Sequence, residues 1–352
     1  MKAALGLARR GVGKTSPNPA VGAVVVRKGK VVGKGYHRMA GLPHAEIEAL
    51  RMAGGKAQKA DLYITLEPCN HKGRTPPCTE SILAAGIGRV IVGAEDPNPR
   101  VAGRGIKRLQ RGGVAVSTGI LRDECAKVNE AYNKYITTGL PYVTLKLAAT
   151  LDGKIATKAG ESKWITGSRA RRHVHKMRSE ADAVMVGGGT VRRDDPELTV
   201  RQVGGRDPVR VVVDSELGLS PEAKVFGPRG RLIIATTRKA GKAKVKAAEE
   251  RGATVLILPA MKGGVHLGRL MAVLGEMEIM AVMLEGGGRL AASCVRSGIV
   301  DKLCLFYAPK IVGGDGVPLL GGLGVKQLVD STSVKNMTIK RFADDFMVEG
   351  YL

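Results

Sequence analysis

His44-Ala45-Glu46 opens, and Glu67-Pro68-Cys69-Asn70-His71-Lys72-Gly73-Arg74-Thr75-Pro76-Pro77-Cys78 closes, the stretch around which the first half of this chain is organised. One imidazole (His44) and two thiolates (Cys69, Cys78) suit a zinc ion that keeps its fourth position open for water. Such a zinc is catalytic rather than structural. Glu46, two residues after His44, is placed to act as a carboxylate proton shuttle that takes a proton from activated water and returns it to a departing amine. Cysteines in a reducing compartment are often small buried hydrophobes. Here both thiols lie in polar, Pro- and Gly-rich sequence, which argues against purely apolar burial. His71, only two residues after Cys69, is read as a substrate-side or loop-fixing histidine and not as a ligand.

Outward from this stretch, the sequence alternates strands and helices. Apolar runs at Val21 to Val26 and Lys30 to Gly35 are joined at Arg27-Lys28-Gly29, a hairpin signal. The pattern predicts a helix from His44 to Met52, a strand from Asp61 to Leu66 and a helix from Cys78 to Gly86. Two ligands thus fall at helix N-termini, where free amides and the helix dipole help stabilise a thiolate. This is the arrangement of a zinc deaminase. Upstream, a helix at Ala3 to Ala8 leads into Thr15-Ser16-Pro17-Asn18-Pro19, a rigid turn. Asn18 there either makes only local bonds or offers a donor and an acceptor to a heterocycle. Downstream come strands at Arg89 to Ala94 and Val114 to Ser117, and helices at about Gly105 to Arg111 and Leu121 to Thr137. Gly139-Leu140-Pro141 breaks the pattern and divides the chain into domains 1–140 and 141–352.

The second half begins afresh with a strand at Tyr142 to Ala148. A basic helix starts near Ser168, and further strands are expected at Ala183 to Val186, Val209 to Asp214, Leu232 to Thr236, Thr254 to Leu258, Ala281 to Leu284 and Lys302 to Ala308. Helices at Lys242 to Glu250, Leu267 to Met277 and Arg289 to Ser297 alternate with them, so this half is again α/β. Gly187 to Gly189 and Gly286 to Gly288 each follow a strand. They are either tight turns or places where a phosphate approaches bare amides at a helix N-terminus. Trp164, the only tryptophan, is either a core anchor or, on its polar loop, a plate for a flat ring such as nicotinamide or pyrimidine.

Composition narrows the function classes. The 352 residues are 44% apolar and suffice for two cores, with no apolar run long enough for a membrane span. No signal peptide is visible, five cysteines do not make a disulfide framework, and Cys125, Cys294 and Cys304 read as core, so a cytoplasmic protein is expected. The net charge of +24 invites nucleic acid, but seven Tyr, four Phe and one Trp with no interleaved basic run disfavour it as the functional partner.

At this level of detail the sequence resembles one family, the bifunctional riboflavin-biosynthesis deaminase/reductases. The resemblance rests on TSPNPAVGAVVV (15–26), GYH (35–37), HAE (44–46) and EPCNHKGRTPPC (67–78). It continues through DPNPRVAGRGI (96–106), LKLAATLDGKIAT (145–157), GESKWITG (160–167), GGGTVRRDDPELTVR (187–201) and LEGGG (284–288). The eight residues between the two cysteines are specific, since nucleic-acid and nucleoside deaminases typically have Cys-x-x-Cys there.

The resemblance implies a cytidine-deaminase-like α/β/α sandwich followed by a dihydrofolate-reductase-like α/β domain, with zinc and NADPH as cofactors. It implies deamination of 2,5-diamino-6-(5-phosphoribosylamino)pyrimidin-4-one followed by reduction of its ribosyl group. His44, Cys69 and Cys78 would hold zinc, Glu46 would be catalytic, and Asn18, His37, His71, Arg74 and Asp96 would shape the deaminase pocket. Ala148, Trp164, Thr190, Asp194 and the run Gly287, Gly288, Arg289, Leu290, Ala291, Ala292, Ser293 would contact NADPH. Lys146, Ser162, Arg178, Leu198, Arg201 and Glu285 would hold the reductase substrate, with Lys146 and Asp194 as further candidates for sugar opening. The partners implied are phosphorylated aminopyrimidines and a second copy of the chain through the reductase domain, with no membrane. Two other readings, a nucleic-acid-editing deaminase and a scaffold with structural zinc, are disfavoured by the wide Cys69 to Cys78 spacing and by Glu46.

Overall fold

The computed structural model describes residues 1–71, 76–99, 101–261 and 264–352. The chain divides into two compact units, Met1–Leu140 and Pro141–Leu352.

The first unit runs α1 (Lys2–Ala8), β1 (Gly22–Arg27), β2 (Lys30–Tyr36), α2 (Ala45–Ala53), β3 (Asp61–Leu66), α3 (Cys78–Ala84), β4 (Arg89–Ala94), α4 (Arg104–Arg111), β5 (Ala115–Thr118), α5 (Arg122–Val128) and α6 (Glu130–Thr138). Its five strands lie in the order β2-β1-β3-β4-β5. β1 is antiparallel to β2 and β3, while β3, β4 and β5 are parallel. Lys28 and Gly29 both take positive φ (48° and 75°), the two-residue turn whose twist suits a hairpin.

α2 lies directly on β2. A Cβ at Gly33 would come 2.1 Å from the Ala49 carbonyl oxygen and one at Gly35 2.2 Å from that of Ala45, so only glycine allows this approach. Ala23, Val25, Leu62, Ile64, Val90 and Val92 share the core on that face with Ala45, Ala49, Ile82 and Leu109. The contact fixes the N-terminus of α2, with His44 as its N-cap, over the sheet.

One expectation is corrected here. The single helix from Leu121 to Thr137 is two helices, α5 and α6, interrupted at Asn129, whose φ of −114° and ψ of 23° are not helical. The side chain of Asn129 is engaged by the backbone of Ala20, 109 residues away, which helical periodicity does not reveal.

The second unit contains β6 (Tyr142–Thr150), β7 (Lys154–Ala156), α7 (Ser168–Glu180), β8 (Ala183–Gly187), α8 (Gly188–Asp194), β9 (Val209–Val213), β10 (Leu232–Thr236), α9 (Lys242–Glu250) and β11 (Ala253–Ile257). It continues with the two-residue strands β12 (Ala260–Met261) and β13 (Gly264–Val265), then α10 (Leu267–Glu276), β14 (Ala281–Leu284), α11 (Gly288–Arg296), β15 (Lys302–Ala308), β16 (Val317–Pro318), β17 (Lys335–Phe342) and β18 (Asp345–Tyr351). Nine strands form one sheet in the order β11-β10-β9-β8-β14-β6-β15-β18-β17. It is parallel as far as β15, and β18 and β17 add antiparallel.

Helices cover both faces of this sheet. On one, Leu270, Leu274, Ala291 and Cys294 pack over Val143, Leu145, Met185 and Ile233. On the other, Ala170, Val174, Val191 and Ala248 pack over Val184, Val186, Val212 and Ile234. Buried on both faces, the parallel strands read as continuous apolar runs. The segments leaving β6, β8 and β14 emerge at the carboxyl ends of these parallel strands, where open α/β sheets bind ligands. Among the described residues no helix is long and apolar enough to cross a membrane.

Candidate active site

In the first unit three elements deliver three ligand atoms to one point. His44 precedes α2, Cys69 follows β3, and Cys78 opens α3. Their ligand atoms all lie within 4.8 Å of one another. His44 Nδ1 is 3.2 Å from Cys78 Sγ and 3.7 Å from Cys69 Sγ. A tetrahedral zinc with Zn–S of about 2.3 Å and Zn–N of about 2.0 Å needs S···N separations of ~3.5 Å, so the donor set fits that ion. The Cys78 amide, free at the helix start, donates to Cys69 Sγ at 3.5 Å. Hydrogen bonding from Cys78 and His44 holds the Cys69 thiol down at about 4, while Cys78, sharing that hydrogen bond and buried, is pushed up. The hydrogen bond to Cys69 raises His44.

Glu46 lies buried in the first turn of α2. Burial, and then the Cys69 thiolate, push its carboxyl up to about 7, between the two protonation states at neutral pH. That suits a group which must both take and give a proton.

Around this centre, His37 is buried, with its ring edge-on to His44 at 5.1 Å. Its Nδ1 is 3.2 Å from the Pro43 carbonyl, which can only accept, so Nδ1 carries the proton. Nε2 is then the acceptor for Asn18 Nδ2 at 3.2 Å. Asn18 is therefore more than a local turn residue.

Asp96 is buried and raised to about 6 by that burial; it accepts from the Asn98 amide at 2.9 Å and from the Tyr132 hydroxyl. His71 is exposed, yet close enough to lower Asp96 by its charge. Arg74 lies outside the described residues. Not foreseen was Glu67, whose buried carboxylate accepts from the amides of Gly103, Gly105 and Ile106 at 2.9 to 3.2 Å and so pins this loop beside Cys69.

In the second unit a cavity of ≈ 480 Å³ opens among the segments leaving β6, β8 and β14. It collects Lys146, Ala148, Ser162, Trp164, Arg178 and Thr190, and also Asp194, Leu198, Arg201, Glu285 and Gly287. At its base Arg178 grips Glu285 with two parallel bonds of 2.5 and 3.0 Å and also donates to the Thr199 carbonyl. Lys146 Nζ is 3.5 Å from the same carboxylate. Burial alone would raise Glu285, but Arg178 and Lys146 outweigh it and hold the acid at about 2. Burial lowers Lys146.

Ser162 Oγ donates to Asp194 at 3.3 Å, and the Gly287 amide donates to Thr190 Oγ1 at 3.2 Å. Trp164 is a loop residue, 65% exposed, with the Arg171 guanidinium 4.5 Å from its ring centre. It is not a core anchor. Leu198 takes a left-handed φ of 59°, strained for a branched side chain and found beside a binding site.

Gly288, Arg289, Leu290, Ala291, Ala292 and Ser293 do not line this cavity. They form the first turns of α11, where Ala291 and Ala292 are buried in packing and Ser293 Oγ bonds back to the Arg289 carbonyl. Cationic Arg193 and Lys224 and the buried ring of His175 were not foreseen, because lone basic residues carry no signal in sequence. The cations suit an anionic dinucleotide.

Family models match both units of the chain. Residues 141–348 match the family model of the RibD C-terminal domain, and residues 1–94 that of the cytidine and deoxycytidylate deaminase zinc-binding region. Riboflavin biosynthesis protein RibD of Aquifex aeolicus (strain VF5) is 46% identical, over 99% of this chain and 96% of the relative. The solved RibD of Acinetobacter baumannii, form 1, is 35% identical with a TM-score of 0.89, over 99% of this chain and 97% of its own. The Thermotoga maritima diaminohydroxyphosphoribosylaminopyrimidine deaminase/5-amino-6-(5-phosphoribosylamino)uracil reductase is 36% identical with a TM-score of 0.88, over 100% and 97%. With a zinc-type His-Cys-Cys centre in one unit and a reductase cavity in the other, the chain belongs to the RibD family of bifunctional deaminase/reductases of riboflavin biosynthesis.

Proposed function

We propose that the first unit hydrolytically deaminates 2,5-diamino-6-(5-phosphoribosylamino)pyrimidin-4-one. The second unit then reduces the ribosyl group of the product with NADPH, giving 5-amino-6-(5-phosphoribitylamino)uracil. The observation that carries this reading is the convergence of His44, Cys69 and Cys78 with a buried Glu46 beside them.

His44, Cys69 and Cys78 would hold zinc, which when bound would supply the Lewis acidity that makes a water molecule nucleophilic near neutral pH. Glu46 takes the proton that this water loses and delivers it to the departing amine, and its burial beside Cys69 keeps bulk water from competing. His37, with Nδ1 tied to Pro43, keeps Asn18 in place, and Asn18 and Asp96 hold the pyrimidine by hydrogen bonds. His71 serves the substrate side, and the guanidinium of Arg74 suits the substrate phosphate by its chemistry.

NADPH supplies the hydride for the second step. Ala148, Trp164, Thr190, Asp194 and Gly287 line the cavity and contact the dinucleotide. Ser162, Leu198 and Arg201 hold the sugar phosphate. The Arg178–Glu285–Lys146 cluster gives the sugar a fixed polar floor, and Lys146 and Asp194 are the groups that can move a proton during ring opening.

The protein works in the cytoplasm, as a homo-oligomer joined through its reductase units. The exposed apolar side chains of the edge strand β17, Met337 and Ile339, support the latter. The reaction is tested by following ammonia and NADPH absorbance together on the diaminopyrimidine ribotide. Ammonia followed by NADPH oxidation is expected; ammonia without oxidation would refute the reductase assignment, and neither with zinc-loaded protein would refute the substrate.

A further inference from the structure

Asn129 and Tyr132 stand one helical turn apart at the start of α6, and both are buried. They lie beyond residue 94, where the match to the zinc-binding region ends. Asn129 Oδ1 accepts from the Ala20 amide at 2.8 Å and its Nδ2 donates to the Ala20 carbonyl at 3.0 Å. This two-point clamp fixes the direction of the backbone two residues after Asn18. On the same turn the Tyr132 hydroxyl reaches both oxygens of Asp96, at 3.1 and 3.2 Å.

A phenylalanine at 132 would fill the same space, and burying a phenol against a carboxylate adds little to packing that an apolar pair would not. Breaking helix α5–α6 at Asn129 likewise sacrifices helical hydrogen bonds. Local rules broken in this way are expected where a site, and not the fold alone, sets the geometry.

We propose that Asn129 and Tyr132 are positioning residues of the deamination site. The start of α6 holds Asn18 through Ala20 and Asp96 through its carboxylate, and so sets the spacing of the two groups that grip the pyrimidine. The inference rests on the assignment of Asn18 and Asp96 to the substrate. It extends the deaminase site to an element whose sequence looks like a plain closing helix.

The test compares Tyr132→Phe, Asn129→Ala, Asp96→Asn and the double variant Asp96→Asn/Tyr132→Phe in the full-length zinc-loaded protein. Losing one such hydrogen bond predicts a KM for the diaminopyrimidine ribotide raised about tenfold in Tyr132→Phe, with kcat much less affected. Zinc content, melting temperature and NADPH oxidation with supplied aminouracil should stay at the wild-type level. The double variant should be no worse than Asp96→Asn, because both changes remove the same contact. If Asn129→Ala loses zinc or unfolds, Tyr132→Phe, which keeps the ring, decides. A raised KM in Asp96→Asn beside an unchanged one in Tyr132→Phe, or fully additive effects in the double variant, overturns the positioning role alone. An unchanged KM in Asp96→Asn overturns the substrate assignment together with it.

Discussion

The deaminase centre takes its metal-binding atoms from residues 44, 69 and 78, two of them at helix starts, whereas the reductase cavity is floored by Arg178 and Glu285, 107 residues apart in the chain. The first site is a local motif that the fold only has to close. The second exists only once β6, α7 and the end of β14 have assembled, because its polar floor is one ion cluster shared among them. Chemistry concentrated in one ligand set should fail completely when that set is broken. Chemistry spread over a cavity should instead fail together with the stability of the unit that forms it.

The sharpest way to separate the two sites is to remove the metal. Dialysis against a chelator should abolish ammonia release while NADPH oxidation with supplied aminouracil persists, measured on the same sample. Glu46→Gln should follow, with deamination down by ~10³-fold, zinc retained by metal analysis, and the reductase rate intact. Equal loss of both activities would break the contrast.

Next in size is Glu285→Gln, which leaves Arg178 and Lys146 buried without their carboxylate. Breaking a buried pair from one side costs ~3–5 kcal/mol, so urea unfolding of the second unit should shift to lower denaturant while zinc content stays unchanged. Acid gives a related effect with a definite sign. Glu285 sits at about 2 in the folded chain against 4.5 for a solvated glutamate, so its contribution is present above pH 4.5 and is lost as pH falls towards 2. At most ~3 kcal/mol is involved, reduced by what Lys146 gives up on burial. Wild type should therefore lose more stability than Glu285→Gln between pH 5 and pH 3, and parallel pH profiles would refute the cluster's role.

How legible each region was follows from the same contrast. His44, Glu46, Cys69 and Cys78 could be read directly because spacing, flanking polarity and helix starts are all local properties. The strands of the second unit were legible too, as apolar runs bounded by glycine and polar turns. The grip of Arg178 on Glu285 was not, since either residue alone reads as a solvated charge. The break at Asn129 was hidden for the same reason: its φ is set by Ala20, and nothing within the helix announces it. Glu67 looked like a strand end until four amides, including that of Asp96 at 3.4 Å, were seen to converge on it.

The smallest effect tests whether the rim of the reductase cavity behaves like its floor. Trp164 is mostly exposed, so replacing it forfeits little burial and chiefly the contact with Arg171, ~0.5–1 kcal/mol for an exposed cation–π pair. Trp164→Leu should leave the melting temperature unchanged, in contrast to Glu285→Gln, and raise the KM for NADPH about two- to fivefold. If the KM for the aminouracil rises instead, the ring stacks on the pyrimidine and the two ligands exchange places at the rim. If stability falls as it does for Glu285→Gln, the loop from Ser162 to Thr166 is part of the folded floor, and the division between a rigid base and a ligand-facing rim does not hold.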